Sequence, residues 1–172
     1  AVTQELLALQ VVEKLNNTYY ECIFNRFIAE LSLDAGNLRE AENYLRKSQL
    51  KSGRISSKRL KLENDILRAR IEIRKGFPNE VLVFLPASVK GLETLKDYLS
   101  LGEAWMVLGE TYNAAKQINK SLEAFNTSLT YFEQSRHPEK MASVYHQIGL
   151  VYLSKKDLLN AEKNILKSIV IR

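Results

Sequence analysis

Apolar, small and polar positions recur along this chain with a period of 40 residues. Stepping through the sequence by 40 aligns one column of tiny residues, one column of large apolar residues and one column that is serine throughout. Self-similarity at a fixed period of this length indicates a chain built from repeated supersecondary units. The three columns are Ala29, Ala69, Gly109 and Gly149; Leu45, Leu85, Phe125 and Ile165; and Ser48, Ser88, Ser128 and Ser168.

Within one period the apolar spacing is that of a helix. In the stretch WMVLGETY, Trp105, Leu108 and Tyr112 lie three and four residues apart and so share one helix face. Gly109 interrupts that stripe of large side chains, which predicts that a partner helix crosses there and leaves no room for a side chain. Downstream, Phe125 is expected to fill the space between the two helices. Each period is therefore predicted to be an αα-hairpin, two antiparallel helices joined by a tight turn.

The predicted layout is a single repeat array over residues 1–172. A leading helix covers about 1–14, and helix pairs follow at about 18–34 with 37–51, 58–75 with 78–91, 96–115 with 118–135, and 139–154 with 158–172. The corresponding repeats are 18–57, 58–95, 96–137 and 138–172. Because the last helix ends on apolar residues, we expect the parent protein to continue beyond Arg172, which would make this chain a fragment.

Local signals add detail at the helix ends. Asn37 and Asp157 are predicted to cap the helices that follow them. Pro86 lies inside the second helix of the second repeat and is expected to kink or end it. That repeat is therefore predicted to be the least regular of the four. The turn within each helix pair is expected at Gly36, Gly76, Lys116 and Lys156.

The segment from Trp105 to Phe125 resembles a tetratricopeptide repeat. Trp105, Gly109 and Tyr112 match the pattern W-x₂-L-G-x₂-Y together with the intervening leucine, and Phe125 stands where the pattern has Phe. The 40-residue period exceeds the common 34, as in the longer repeats of kinesin light chains, the polarity adaptor family and the sensor arms of maltose-activator-like regulators. The resemblance implies an all-α fold, a right-handed superhelix (α-solenoid) of antiparallel helix pairs with an extended concave surface.

By the same resemblance, the first helix of each pair would line the concave side and form a partner-binding groove. The implied strip mixes apolar residues with both signs of charge, which suits an extended peptide or a partner helix. Chaperone-binding relatives use a clamp of Lys, Asn and Arg in this groove, and the corresponding columns here do not carry it. The groove residues are Arg26, Glu30, Leu33, Glu63, Ile66, Arg70, Ile73, Glu103, Met106, Glu110, Asn113, His146 and Leu150, with Ile23, Ser143 and Leu153 beside them.

Composition narrows the setting and the chemistry. The chain is 45% apolar and 26% charged, as in ordinary folded domains. A single cysteine, Cys22, forms no internal disulfide, so a reducing compartment such as the cytoplasm is expected. No apolar run approaches the roughly 18 residues of a membrane span. His137 and His146 fall on different elements, and no metal-ligand spacing, nucleophile motif or phosphate loop is present, so neither a cofactor nor catalysis is expected.

The sequence therefore predicts a non-enzymatic scaffold that binds a peptide or protein segment. The alternative is a sensor or regulatory arm of a larger signalling or transcription-regulating protein, which binds an effector or a regulatory subunit. A weaker third possibility is nucleic-acid binding through residues 46–75, where eleven Lys or Arg and three Asp or Glu give a net charge of +8. That segment has little aromatic interleaving, so nucleic acid is not the expected partner. The partner's identity and the oligomeric state stay open.

Overall fold

The computed structural model describes residues 2–171, with side chains described from residue 7 onward. The described range folds into nine α-helices and contains no strand. The outer limits of the predicted array, Ala1 and Arg172, lie outside the described residues. The helices are α1 (Val2–Lys14), α2 (Thr18–Asp34), α3 (Leu38–Arg54), α4 (Lys58–Lys75), α5 (Pro78–Leu95), α6 (Tyr98–Ala114), α7 (Ile118–Gln134), α8 (Pro138–Ser154) and α9 (Leu158–Ile171).

The helix starts reproduce the 40-residue period of the sequence. The first helices of the repeats start at Thr18, Lys58, Tyr98 and Pro138, each 40 residues after the one before. The second helices start at Leu38, Pro78, Ile118 and Leu158 with the same step. The predicted all-α fold of consecutive antiparallel helix pairs is thereby confirmed.

The loops recur at half that interval. In every connection one residue has a positive φ, between 50° and 90°, and these residues stand 20 apart. After α2, for example, the Gly36 N–H donates to the Leu33 carbonyl at 3.0 Å and the Asn37 N–H to the Ser32 carbonyl at 2.8 Å, which closes the helix in a Schellman motif. The positive-φ residues are Asn16, Gly36, Ser56, Gly76, Lys96, Lys116, Arg136 and Lys156.

The chain divides into two compact units, one ending at Lys75 and one starting at Gly76. In the first unit α1 packs on α2, α2 on α3, and α4 on both α3 and α2. In the second unit α5 packs on α6, α6 on α7, α7 on α8, and α8 on α9. The second predicted repeat, 58–95, thus supplies α4 to one unit and α5 to the other.

Pro86 does not end its helix, although ending it was one of the two outcomes predicted for this residue. α5 continues through Pro86 to Leu95, four residues past the predicted end. A proline removes one backbone hydrogen bond from a helix interior. Here the helix persists because its other face is completely buried, with Val81, Leu85 and Leu92 at 0% exposure.

Only one of the two predicted caps forms. The Asp157 carboxylate accepts the Asn160 N–H at 3.2 Å and the Asn160 side-chain amide at 2.7 Å. Both hydrogen bonds lower the pKa of Asp157 below its ordinary value, and the bond from the side-chain amide of Asn160 has the larger effect. Asn37 stands at the predicted N-cap position of α3 but makes no side-chain cap hydrogen bond. Its exposed side chain stays in solvent, while its backbone N–H serves the turn that closes α2.

Candidate protein-interaction surfaces

Glycine sets the distance between the two helices of the third repeat. A Cβ atom at Gly109 would lie 2.6 Å from the Phe125 ring, which is itself 1% exposed. The Ser121 hydroxyl donates to the Gly109 carbonyl at 2.8 Å. The prediction that Gly109 marks the helix crossing and that Phe125 fills the space beside it is confirmed.

The same contact occurs a second time between α6 and α7, and the sequence reading missed it. A Cβ atom at Gly102 would lie 2.6 Å from the Phe132 ring, and the Ser128 hydroxyl donates to the Gly102 carbonyl at 2.7 Å. Gly102 and Phe132 each lie seven residues from their counterparts, Gly109 and Phe125. That spacing of seven was the signal that could have revealed them.

The first unit uses a buried polar cluster where α6 and α7 use glycine and phenylalanine. The Ser48 hydroxyl lies 2.9 Å from the Cys22 carbonyl and 2.8 Å from Asn64 Oδ1, and the Cys22 sulfur lies 3.1 Å from the same hydroxyl. The Asn64 amide in turn donates to Ser52 Oγ at 3.2 Å. All four side chains are buried, so the cluster ties α2, α3 and α4 together through hydrogen bonds.

On the first helices of the first unit, the predicted groove residues bond to one another. Arg26 contacts Glu30 at 3.0 Å within α2 and Glu63 of α4 at 3.3 Å. Glu63 also accepts from Arg59 at 2.9 Å. These contacts join two guanidinium groups and two carboxylates across α2 and α4. Arg59 was not among the predicted residues, although its spacing of four from Glu63 favours such a pair.

The apolar members of the predicted groove in this unit lie deep. Leu33 and Ile66 are each 4% exposed, and Leu33 belongs to the core formed with Leu45 and Leu67. Ile23, Arg70 and Ile73 are half-buried. The face of α2 and α4 thus presents the paired charges of Arg26, Glu30 and Glu63, with Phe27 46% exposed beside them.

The first helices of the second unit present a different face. Met106 is 8% exposed and packs in the core beside Phe125 and Ile148. Glu103 bonds to Lys140 of α8 at 2.7 Å. Glu110, Asn113 and Ser143 are half-buried, whereas His146, Leu150 and Leu153 on α8 are exposed, the two leucines at 41% and 49%.

Comparisons with known proteins agree with this architecture. Residues 142–171, which span most of α8 and α9, match the family model of the tetratricopeptide repeat. The repeated helix pairs and this match fit a tetratricopeptide-type repeat protein. It is also similar to the crystal structure of BtubC (BKLC) from P. vanneervenii, with a TM-score of 0.76 and 16% sequence identity over 99% of this chain and 72% of that chain. A search of the curated proteins found no match.

Tetratricopeptide-type arrays are in general scaffolds for protein–protein interaction and not catalysts. Among residues 2–171 there is no group of three or more His, Cys, Asp or Glu side chains that could hold a metal ion. Within the same range, no helix is long and apolar enough to cross a membrane.

Two cations of the basic segment 46–75, Lys51 and Lys75, take part in ion pairs that join helices of this repeat protein. Lys75 of α4 contacts Glu42 of α3 at 2.8 Å and Glu72 at 3.3 Å, and these two bonds raise the pKa of Lys75. Lys51 of α3 pairs with the buried Glu21 of α2. Lys75 and Lys51 are therefore matched by Glu42 and Glu21, two carboxylates outside the segment.

Proposed function

We propose that the face formed by α6 and α8 binds an extended peptide or a partner helix, and that this contact is the working site of the scaffold. The observation that carries the proposal is the pair of exposed leucines on α8. Leu150 and Leu153 are three residues apart, and His146 precedes Leu150 by four, so all three share one helix face. Side chains of this kind bind an apolar anchor of a partner.

Polar groups around the leucines would give the contact its register. Glu110 and Asn113 lie near the end of α6, on the face that carries Met106. The Glu103–Lys140 pair bridges the start of α8 to α6 and places a fixed charge pair at the other end of the face. Apolar contacts would provide affinity, and these polar groups would select the flanking residues of the peptide.

The face of α2 and α4 in the first unit is a less suitable site. Arg26, Glu30 and Glu63 already bond to one another, so a charged ligand would have to replace existing bonds. A peptide would gain little there, because separating a paired charge offsets the new contact.

The test begins with selection of peptides from a random display library, with the 172-residue chain as the target. The affinity of a selected peptide is then measured for Leu150→Asp and Leu153→Asp by calorimetry. We expect each change to weaken binding at least about tenfold, as loss of an apolar anchor does. Leu50→Asp is the matched control, because Leu50 is also exposed, at 63%, but lies on a second helix.

Charge reversal separates the two units in the same assay. Glu110→Lys is expected to alter which peptides bind, whereas Glu30→Lys and Arg70→Glu are expected to leave the affinity unchanged. Peptides whose affinity is insensitive to both leucine changes would contradict the proposal. So would a library that yields no binder.

The alternative function, a sensor arm of a larger signalling or transcription-regulating protein, would use the same face for an effector or a regulatory subunit. The full-length gene decides between the two. A nucleotide-binding domain before this segment, or a helix-turn-helix domain after it, would favour the sensor arm. We place either activity in a reducing compartment such as the cytoplasm, where the Cys22 thiol stays reduced.

A further inference from the structure

The last described helix carries an apolar stripe on the side away from its partner. α9 packs on α8 through a face that includes Ala161 and Ser168, each 3% exposed. On the opposite side Leu159, Leu166 and Val170 are 77%, 53% and 84% exposed. With Tyr145 of α8 and the α9 side chains between them, they line an open groove of about 690 Å³.

The repeat register shows that this stripe is not a surface used between consecutive repeats. Forty residues earlier, α7 has Asn119, Asn126 and Thr130 at the equivalent positions, and these stay exposed although α8 packs on α7. α5 has Asn79, Pro86 and Lys90 there, also exposed.

The side of α7 that does meet α8 is a different one. Ile118 and Leu129 pack against the core that includes Val144 and Ile148 of α8. Their counterparts on α9 are Leu158 and Ile169, so a helix stacked as α8 stacks on α7 would cover those two residues and leave the stripe exposed. The stripe therefore needs another occupant.

The spacing of the stripe is that of a coiled-coil seam. Leu159, Lys163, Leu166 and Val170 follow one another at intervals of four, three and four residues, which are the d, a, d and a positions of two heptads. Leucine at d and a β-branched residue at a favour two parallel strands, and a single polar residue at a fixes register and chain number. Because α9 is already helical through its packing on α8, dimerisation does not have to offset the cost of forming this helix.

We propose that a second copy of this chain docks on the stripe, with the two α9 helices parallel and in register. Charge complementarity selects this occupant and this orientation. Glu162 stands at g and Lys167 at the following e position, so each Glu162 faces the Lys167 of the other copy, twice by symmetry. An antiparallel pair would bring Glu162 to Glu162 and Lys167 to Lys167. In the single chain, Lys167 lies 5.0 Å from the Tyr145 ring centroid at the edge of the groove.

The dimer is expected to be weak, because a contact of two heptads lies at the small end of protein interfaces. Sedimentation velocity over increasing concentration should show the 172-residue chain passing from monomer to dimer. The triple variant Leu159→Asn, Leu166→Asn and Val170→Thr gives α9 the residues of α7 and should raise the dimer dissociation constant at least about tenfold. Leu50→Asn, which replaces an exposed leucine away from α9, should leave it unchanged.

Engineered cysteines test the orientation. In a parallel pair, Leu159→Cys should form a disulfide with its own copy, and so should Val170→Cys. In an antiparallel pair, disulfides would form only when the two variants are mixed. Unmodified chain, with Cys22 buried at 1% exposure, is the control for background cross-linking.

A charge exchange tests the pairing of the flanks. Glu162→Lys should weaken the dimer several-fold, and adding Lys167→Glu to that variant should restore it. The proposal is overturned if the chain stays monomeric at millimolar concentration, or if the triple variant dimerises as well as the unmodified chain. It is also overturned if cross-linking requires the mixture, or if a different polypeptide and not a second copy covers the stripe.

Discussion

The unit ending at Lys75 and the unit starting at Gly76 share one register but use different side chains at their helix contacts. In the second unit, Gly102 lies against an aromatic ring and its carbonyl accepts the Ser128 hydroxyl. Eighty residues earlier, the Ser48 hydroxyl lies 2.9 Å from the Cys22 carbonyl, so the same bond recurs without the glycine. Ser48 and Ser128 thus keep the same place in this contact while the facing residue differs, whereas Ser168 of the same column donates to Ile165 of its own helix at 2.7 Å.

The same contrast extends to the first helices. In the first unit Arg26 pairs with both Glu30 and Glu63, whereas the second unit carries the exposed Leu150 and Leu153 on the corresponding face. The face of α2 and α4 therefore carries paired charges with Phe27 of α2 exposed beside them, whereas the face of α6 and α8 carries two exposed leucines.

The largest difference is expected between the two serines. Ser48→Ala would leave Asn64 Oδ1 without its hydroxyl partner in a buried site and should lower the free energy of unfolding by about 1–3 kcal/mol. Ser128→Ala removes one bond to a carbonyl within a helix and should cost only about 0.5–1.5 kcal/mol. Urea denaturation measures both, and an equal loss would show that the buried cluster has no special weight.

Replacing a glycine by alanine should lower the free energy of unfolding in the second unit and raise it in the first. Gly109→Ala places a methyl group 2.6 Å from the buried Phe125 ring and should cost about 1–2 kcal/mol, after the gain in helix propensity is counted. Gly53→Ala in α3 meets nothing within 4 Å and should stabilise by up to about 1 kcal/mol. The same denaturation assay decides, and stabilisation by Gly109→Ala would contradict the close helix crossing.

Removing a cation should matter more in the first unit. Arg26→Met breaks two contacts, to Glu30 and to Glu63, and is expected to cost about 1 kcal/mol, a loss that shrinks as salt is added. Lys140→Met breaks the single pair with Glu103, in which the lysine side chain is 37% exposed, and should cost about 0.3 kcal/mol. If the two losses were equal at low salt, the network around Arg26 would add nothing beyond its separate pairs.

The smallest effect concerns pH at the start of α9. Because the folded state lowers the pKa of Asp157, its stabilising contribution is complete above the ordinary carboxyl range and is lost as the pH falls through the lowered value. The protection of amides in the first turn of α9, corrected for the intrinsic exchange rate at each pH, should therefore fall in acid. Asp157→Asn should flatten that dependence, and an unchanged profile would show that the cap does not contribute.

The sequence was sufficient for the repeat and for much of the packing. The 40-residue columns predicted the helix pairs, because tiny residues at helical spacing require close contact with a partner helix. The positive φ of Asn16, Ser56, Lys96 and Arg136 was not predicted, because none of these residues is the glycine that usually signals it.

The sequence could assign the residues of the candidate site to one helix face, but it could not predict how deeply each of them is buried. Leu33, Ile66 and Met106 share the predicted face with exposed residues, yet neighbouring helices bury them. Periodicity along one helix does not contain that information. Arg59 and Lys140, which pair with Glu63 and Glu103, were also missed. Lys140 is 37 residues from Glu103, and only the fold brings the two together.

Hydrogen–deuterium exchange with a selected peptide shows which of the two units binds the partner. Saturating peptide should slow amide exchange in α6 and α8 and leave α2 and α4 as they are in the free chain. Slower exchange confined to α2 and α4 would contradict the account, because it would place the partner on the face that Arg26, Glu30 and Glu63 close by pairing with one another.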